Sequence, residues 1–402
     1  MRKTQLVALG ITTGVLLCLG PSCRADSEAD SASSTNQAPT VDAVKKEQSD
    51  RKEQITNSAP ADSKVESGLP VGGTVLSAPA QKKSASMESV KIISDQSRKT
   101  IPAVSADGRP TVAVALGGGG ARGAAHIGVL KVFEREGIPV NYIVGNSMGA
   151  IVGGLYSSGM TLDSISELLE DGSLRHAYMP TAIVPKVLIA PLSRLSLHPH
   201  YAGLFSGKKF TQYLQSVLPK PDMDVSATKI PFSAVATNLI DGKAYTLSDG
   251  SLATAMKASS AISPLLQPVA VGDKVFVDGG VRANMPIRAA QETGAGIVIA
   301  VLVDEPLVPV PAKRFVHLKG IASRMADIVL AASDERQLEY ADVVINPDVS
   351  NIPILSKNGE DAVKAIKIGE AAAEKALPAI RRLMQNPPHN HSRVAGKQQE
   401  VQ

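Results

Sequence analysis

The 402-residue sequence predicts an α/β fold, with a mostly parallel central sheet covered by helices on both faces. Three observations carry this expectation. Short apolar runs of strand length alternate with stretches of helical period between residues 111 and 377. Those runs are apolar at successive positions, the pattern of strands buried on both sides. All six Phe and all seven Tyr fall between Phe133 and Tyr340, and there is no Trp, so the material for a core is confined to the middle of the chain.

Residues 111–116 (TVAVAL) read as the first strand. Residues 121–136 place Ile127, Leu130 and Phe133 at helical spacing before Gly137 stops the run. A second strand is predicted over 140–144, then a helix over 148–158 opened by small residues. Thr161 starts a further helix with Leu162, Ile165, Leu168 and Leu169 on one face. Later strands are predicted at 232–237, 274–277, 297–303 and 343–345, separated by helices at 250–260, 286–293, 320–340 and 360–377. There is no internal repeat, and one folded domain is expected over 109–385, with its chemistry-bearing motifs within 112–306.

The flanks read differently. Arg2 and Lys3 precede an apolar stretch, residues 6–19, too short to span a bilayer, so residues 1–25 are expected to be an export signal. Two cleavage readings stand beside retention of the segment. Cys23-Arg24-Ala25 resembles a signal peptidase site; residues 19–23 (LGPSC) resemble a lipoprotein box that would anchor lipid on Cys23, although Gly20 and Pro21 fit it poorly. The expected location is outside the cytoplasm: periplasmic, outer-membrane-associated or secreted. Cys18 and Cys23 both lie in or beside this segment, so the domain carries no disulfide. Residues 26–108 are polar and free of aromatics, a disordered linker by composition, and 386–402 form a similar tail. The 42 basic and 38 acidic residues are scattered, without a basic run interleaved with stacking aromatics, which argues against a nucleic-acid partner. A net charge of +4 permits association with an anionic membrane surface.

Gly145-Asn146-Ser147-Met148-Gly149 matches the nucleophile elbow, where a serine sits on a strained turn between strand and helix. Gly145 and Gly149 are needed because the turn brings backbones close together, and the following helix aims its amino-terminal amides at a developing oxyanion. The run 117–123 (GGGGARG) also joins a strand to a helix. As Gly118-x-Gly120-x-x-Gly123 it satisfies a dinucleotide fingerprint, but that site needs an acidic residue ending the second strand, where this sequence has a serine turn instead. The favoured reading is that these glycines offer bare backbone amides as an oxyanion hole. His126, His176, His198, His200 and His317 fall in the core region, yet none sits in a loop after a late strand. His126 lies inside the first helix and is expected to pack or cap there. Val277-Asp278-Gly279-Gly280 does follow a strand, and an Asp beside a serine hydroxyl could take its proton directly; in isolation, Asp-Gly-Gly is an ordinary turn.

Together GGGGARG, GNSMG and DGG, in this order, resemble the patatin-like phospholipase family, specifically its bacterial branch, over residues 112–306. The stretches AAHIGVLKVFEREGIP and MKASSAISPLLQPV look like family sequence as well. The resemblance implies a serine–aspartate dyad without histidine, Ser147 and Asp278, and an oxyanion hole built on Gly118, Gly119 and Gly120, with Arg122 beside them and Gly123, Gly279 and Gly280 supporting the motifs. Asn146 stands where the family commonly has Thr, a mild departure for a side chain without a catalytic part. The reaction so implied is hydrolysis of a phospholipid or other acyl-ester lipid through an acyl-enzyme, with no metal and no cofactor. A general esterase or thioesterase would use the same residues, and a tethered lipid-binding envelope protein could keep the fold without chemistry. Residues 173–205, proline-rich and apolar, read equally well as a lid or acyl channel and as a buried connection. The pairs His198/His200 and His389/His391 supply too few ligands for a metal site.

Overall fold

In a computed structural model of the protein, residues 99–179, 201, 203–263, 265–304 and 307–387 are described. The expected export signal, nearly all of the linker and tail, and most of the proline-rich stretch lie outside these residues. Eight strands form one sheet: β1 (Val112–Leu116), β2 (Tyr142–Asn146), β3 (Phe232–Asn238), β4 (Ala244–Leu247), β5 (Val269–Val271), β6 (Lys274–Asp278), β7 (Ile297–Val301) and β8 (Val343–Ile345). Their spatial order is β5-β6-β3-β2-β1-β7-β8, with β4 also paired to β3. The run β3-β2-β1-β7-β8 is parallel throughout. The additions at the β3 side, β4, β6 and β5, are antiparallel.

Alternation along the strands divides the core between two faces. Val112, Val114 and Leu116 of β1 point into a cluster shared with α1 (Ala125–Arg135), α2 (Met148–Ser158), α3 (Leu162–Glu170), α6 (Leu252–Ser259) and α10 (Gly359–Gln385). Ala113 and Ala115 point to the other face, under Ile287 and Ala290 of α8 (Ile287–Gln291). The small side chains of that face let the cover lie close. The remaining helices are α4 (Ser173–Tyr178), α5 (Lys208–Val217), α7 (Gly280–Ala283) and α9 (Leu318–Leu338). The expected α/β layering, helices on both faces of a mostly parallel sheet, is the architecture observed. Among the described residues, no helix is long and apolar enough to cross a membrane.

Local sequence accounts for most boundaries. Thr161 caps α3 by accepting from the Ser164 amide, and Gly159, left-handed at φ 99°, ends α2. Three differences from the sequence reading stand out. β2 runs on to Asn146 rather than stopping at residue 144, so Ser147 follows the strand directly. β4, β5, α4, α5 and α7 carried too little periodicity to be anticipated. The last helix passes through Pro378 to Gln385. Burial of Ile380 beyond that proline continues the apolar face and offsets the lost amide bond.

Candidate active site

The turn at Ser147 is one residue long, because β2 ends on Asn146 and α2 begins on Met148. Its backbone sits at φ 51°, ψ −120°, and it is the only non-glycine residue with positive φ among those described. Such a conformation is costly and persists only where its surroundings impose it. The neighbours do impose it: a Cβ on Gly149 would strike the Leu116 carbonyl, and one on Gly145 would lie 2.5 Å from the Ala150 Cα. The Ser147 amide donates to Ser259 Oγ at 3.0 Å, which fixes the backbone of the turn. Ser147 is 8% exposed and lines a cavity of about 290 Å³.

Strand register explains how Asp278, 131 positions further along, reaches this turn. Asn146 at the end of β2 lies opposite Val235 of β3, and Asp278 at the end of β6 lies opposite Ala236. One strand runs parallel to β3 and the other antiparallel, so their carboxyl ends meet over its middle. Asp278 Oδ1 accepts from the Gly280 amide at 2.8 Å, and the Ser147 hydroxyl stands close enough to the carboxylate to stabilise its charge. Burial raises the Asp278 pKa to about 6, with those two donors partly opposing the shift.

The glycine loop leaves β1 beside the serine: a Cβ on Gly118 would lie 3.2 Å from Ser147 Cβ. The Gly118 amide is already bonded to the Asn284 carbonyl at 3.3 Å. The Gly119 and Gly120 amides make no bond among the described residues, and neither does that of Met148 at the start of α2. Of the three expected donors, then, two stand open and Gly118 is engaged. Gly120 adopts φ 56° and packs on the Ile354 carbonyl, which no side chain would allow. Arg122 is buried, and its Nε donates to the Ile352 carbonyl at 2.6 Å. A Cβ on Gly123 would strike Met148, and one on Gly279 would strike Asn146 Oδ1, so both close the motifs onto one another.

His126 is fully buried and donates from Nε2 to the Gly117 carbonyl at 2.8 Å, with burial pushing its pKa down to about 4. It therefore supports the glycine loop as a neutral ring. His176 and His317 are exposed, and none of these three lines the cavity at Ser147. His198, His200, His389 and His391 lie outside the described residues, and no metal-binding cluster occurs within those described.

The cavity is mainly apolar, with Ile151, Leu174, Tyr178, Met179 and Phe210 among its walls and Arg175 and Lys357 at its edge. Leu174, Tyr178 and Met179 open the proline-rich stretch, so its described beginning forms cavity wall. Several site-building residues escaped the sequence reading. Ser259 is one, inside the MKASSAISPLLQPV stretch; Asn284 is another, held by Asp304 and Asp334. Asn146 has a structural part as well: its amide is fully buried and donates to the Asn284 carbonyl at 3.2 Å and to Asn284 Oδ1 at 3.1 Å.

Residues 114–290 match the family model described as patatin-like phospholipase. An uncharacterized NTE family protein of Mycobacterium tuberculosis is 32% identical over 192 residues, covering 48% of this chain and 49% of that one. The alignment thus spans about half the length of the mycobacterial relative. Human patatin-like phospholipase domain-containing protein 6 is 31% identical over 193 residues, 48% of this chain but 13% of the human one. Among solved structures, human GIVD cytosolic phospholipase A2 is similar at a TM-score of 0.39 and 9% identity, over 69% of this chain and 60% of that one.

Proposed function

Since the chain belongs to the patatin-like phospholipase family through residues 114–290, we propose that it is a lipid acyl hydrolase that cleaves carboxylic esters through an acyl-enzyme on Ser147. The observation that carries this reading is the convergence of Ser147, on a strained turn opening on an apolar cavity, with the buried carboxylate of Asp278 at adjacent positions along β3.

In the proposed reaction the Ser147 oxygen attacks the ester carbonyl while its proton passes to Asp278. The open amides of Gly119, Gly120 and Met148 receive the developing oxyanion, aided by the amino terminus of α2. Asp278 then protonates the departing alkoxide. In the second half, Asp278 takes a proton from water as it attacks the acyl-enzyme, and the fatty acid leaves as Ser147 recovers its hydrogen. A carboxylate lifted to about 6 is a better proton acceptor than an ordinary Asp and is still ionised at neutral pH. The apolar walls suit an acyl chain. Substrates are phospholipids or other acyl-ester lipids, met at a membrane surface outside the cytoplasm.

The test is fatty acid release from a mixed lipid extract by the full chain. Ser147→Ala should lower release by about 10³-fold or more while leaving thermal unfolding unchanged. Retention of more than a few per cent of the activity would overturn the assignment.

A further inference from the structure

Asn284 stands six residues after Asp278 and bonds both to the glycine loop and to the residue before the nucleophile. Its carbonyl accepts from the Gly118 amide at 3.3 Å and from Asn146 Nδ2 at 3.2 Å. Its Oδ1 accepts from the same Asn146 amide at 3.1 Å. One residue thus ties the glycine loop to the residue preceding the nucleophile. Its own Nδ2 donates to two carboxylates at once, Asp334 Oδ2 at 3.0 Å and Asp304 Oδ2. Asp334 also accepts from the Met285 amide at 2.8 Å, so both the main chain and the side chain of this segment hang on that carboxylate.

Two carboxyl groups that converge on one nitrogen cannot both be ionised without strong repulsion in a buried setting. One proton shared between the two carboxyl groups relieves that repulsion while Asn284 Nδ2 still donates to both. Burial and the neighbouring Asp334 raise Asp304 to about 8, opposed by the Arg122 guanidinium and the Asn284 amide; burial raises Asp334 as well. Among the described residues, these groups and the Met285 amide face the pair.

We propose that Asn284 is a positioning residue that clamps the glycine loop against the serine turn, and that the carboxyl pair Asp304–Asp334, sharing one proton, holds the clamp and sets the alkaline limit of the reaction. This rests on the acyl-enzyme reading above. When the shared proton leaves, repulsion drives the carboxylates apart and Asn284 loses an anchor. Its carbonyl then releases Gly118, and the open amides of Gly119 and Gly120 drift from the place of the oxyanion.

The experiment is the rate of covalent labelling of the full chain by a fluorophosphonate probe between pH 6 and 10, with thermal unfolding of each variant as a check on folding. The wild-type rate should fall by about tenfold from pH 7 to pH 9, one titration centred near 8. In Asp304→Asn the new amide can donate where the shared proton stood, so the ratio of rates at pH 7 and pH 9 should stay within about twofold of unity. Asn284→Ala should label about 30-fold more slowly at pH 7, consistent with misplacement of an oxyanion donor. A merely structural role would lower stability without moving the alkaline limb. An Asp304→Asn profile that keeps the wild-type alkaline fall would overturn the proposal, even where Asn284→Ala fails to fold. A wild-type chain that labels on Ser147 at a rate independent of pH above 7 would overturn it while leaving the acyl-enzyme reading intact. Absence of any label on wild-type Ser147 would overturn both.

Discussion

Ser147 and Asp278 show how two ordinary side chains acquire unusual properties from their surroundings. The serine is held by glycines that forbid any other path for the turn and by Ser259, which occupies its amide. The aspartate is raised to about 6 because burial disfavours its charge. A base must be ionised to accept a proton, so the acid limb of ester turnover should rise with pH through about 6 to a maximum near neutrality, falling about tenfold for each unit further into acid. A kcat/KM profile measured from pH 4 to 8 checks this, and a midpoint at 4 or below would show that burial does not tune Asp278. The serine turn and its glycines were legible in the sequence because their spacing encodes a local geometry. Ser259, Asn284 and Asp334 were not, since each acts through hydrogen bonds to residues distant in the sequence, which leave no periodic trace.

At the scale of elements, the helices that hold the site are packed unusually close. A Cβ on Gly128 of α1 would strike the Ile366 carbonyl of α10, and one on Gly369 of α10 would strike the Ala125 carbonyl of α1. The two glycines face each other across the crossing, so the helices touch backbone to backbone. Gly369→Ala should destabilise the domain by roughly 1–3 kcal/mol, because overpacking outweighs the gain in helix propensity. Denaturant unfolding measures it, and an unchanged or raised midpoint would contradict the close crossing. α1 begins just after the glycine loop, so this crossing also seats the loop. Long periodic segments such as α2 and α3 were readable from composition alone. The short strands β4 and β5 were not: β4 is largely exposed or half-buried, and the apolar run of β5 is only three residues long. Their role is topological: β5 pairs with β6, which delivers Asp278, and β4 pairs with β3.

For the whole molecule, the site is a consequence of sheet order. β2 and β6 are far apart in sequence but both pair with β3, from opposite directions, and their carboxyl ends converge on adjacent residues of that strand. The glycine loop arrives from β1 on the other side of β2, so three strand ends supply nucleophile, base and oxyanion donors. The alternation of strand and helix made the parallel half of this sheet legible. Of the antiparallel half, the strand that ends on Asp278 was legible as well, but its meeting with Ser147 rested on resemblance to family motifs, and β4 and β5 were not legible. The central claim is that these two residues act as one unit. Its most direct measurement is the rate at which a fluorophosphonate forms an adduct on Ser147 at pH 7.5, located by peptide mass spectrometry, in the wild type and in Asp278→Asn. The account predicts an adduct on Ser147 that forms about 10³-fold more slowly in the variant, with folding intact. An adduct on another residue, or an Asp278→Asn rate near that of the wild type, would contradict it.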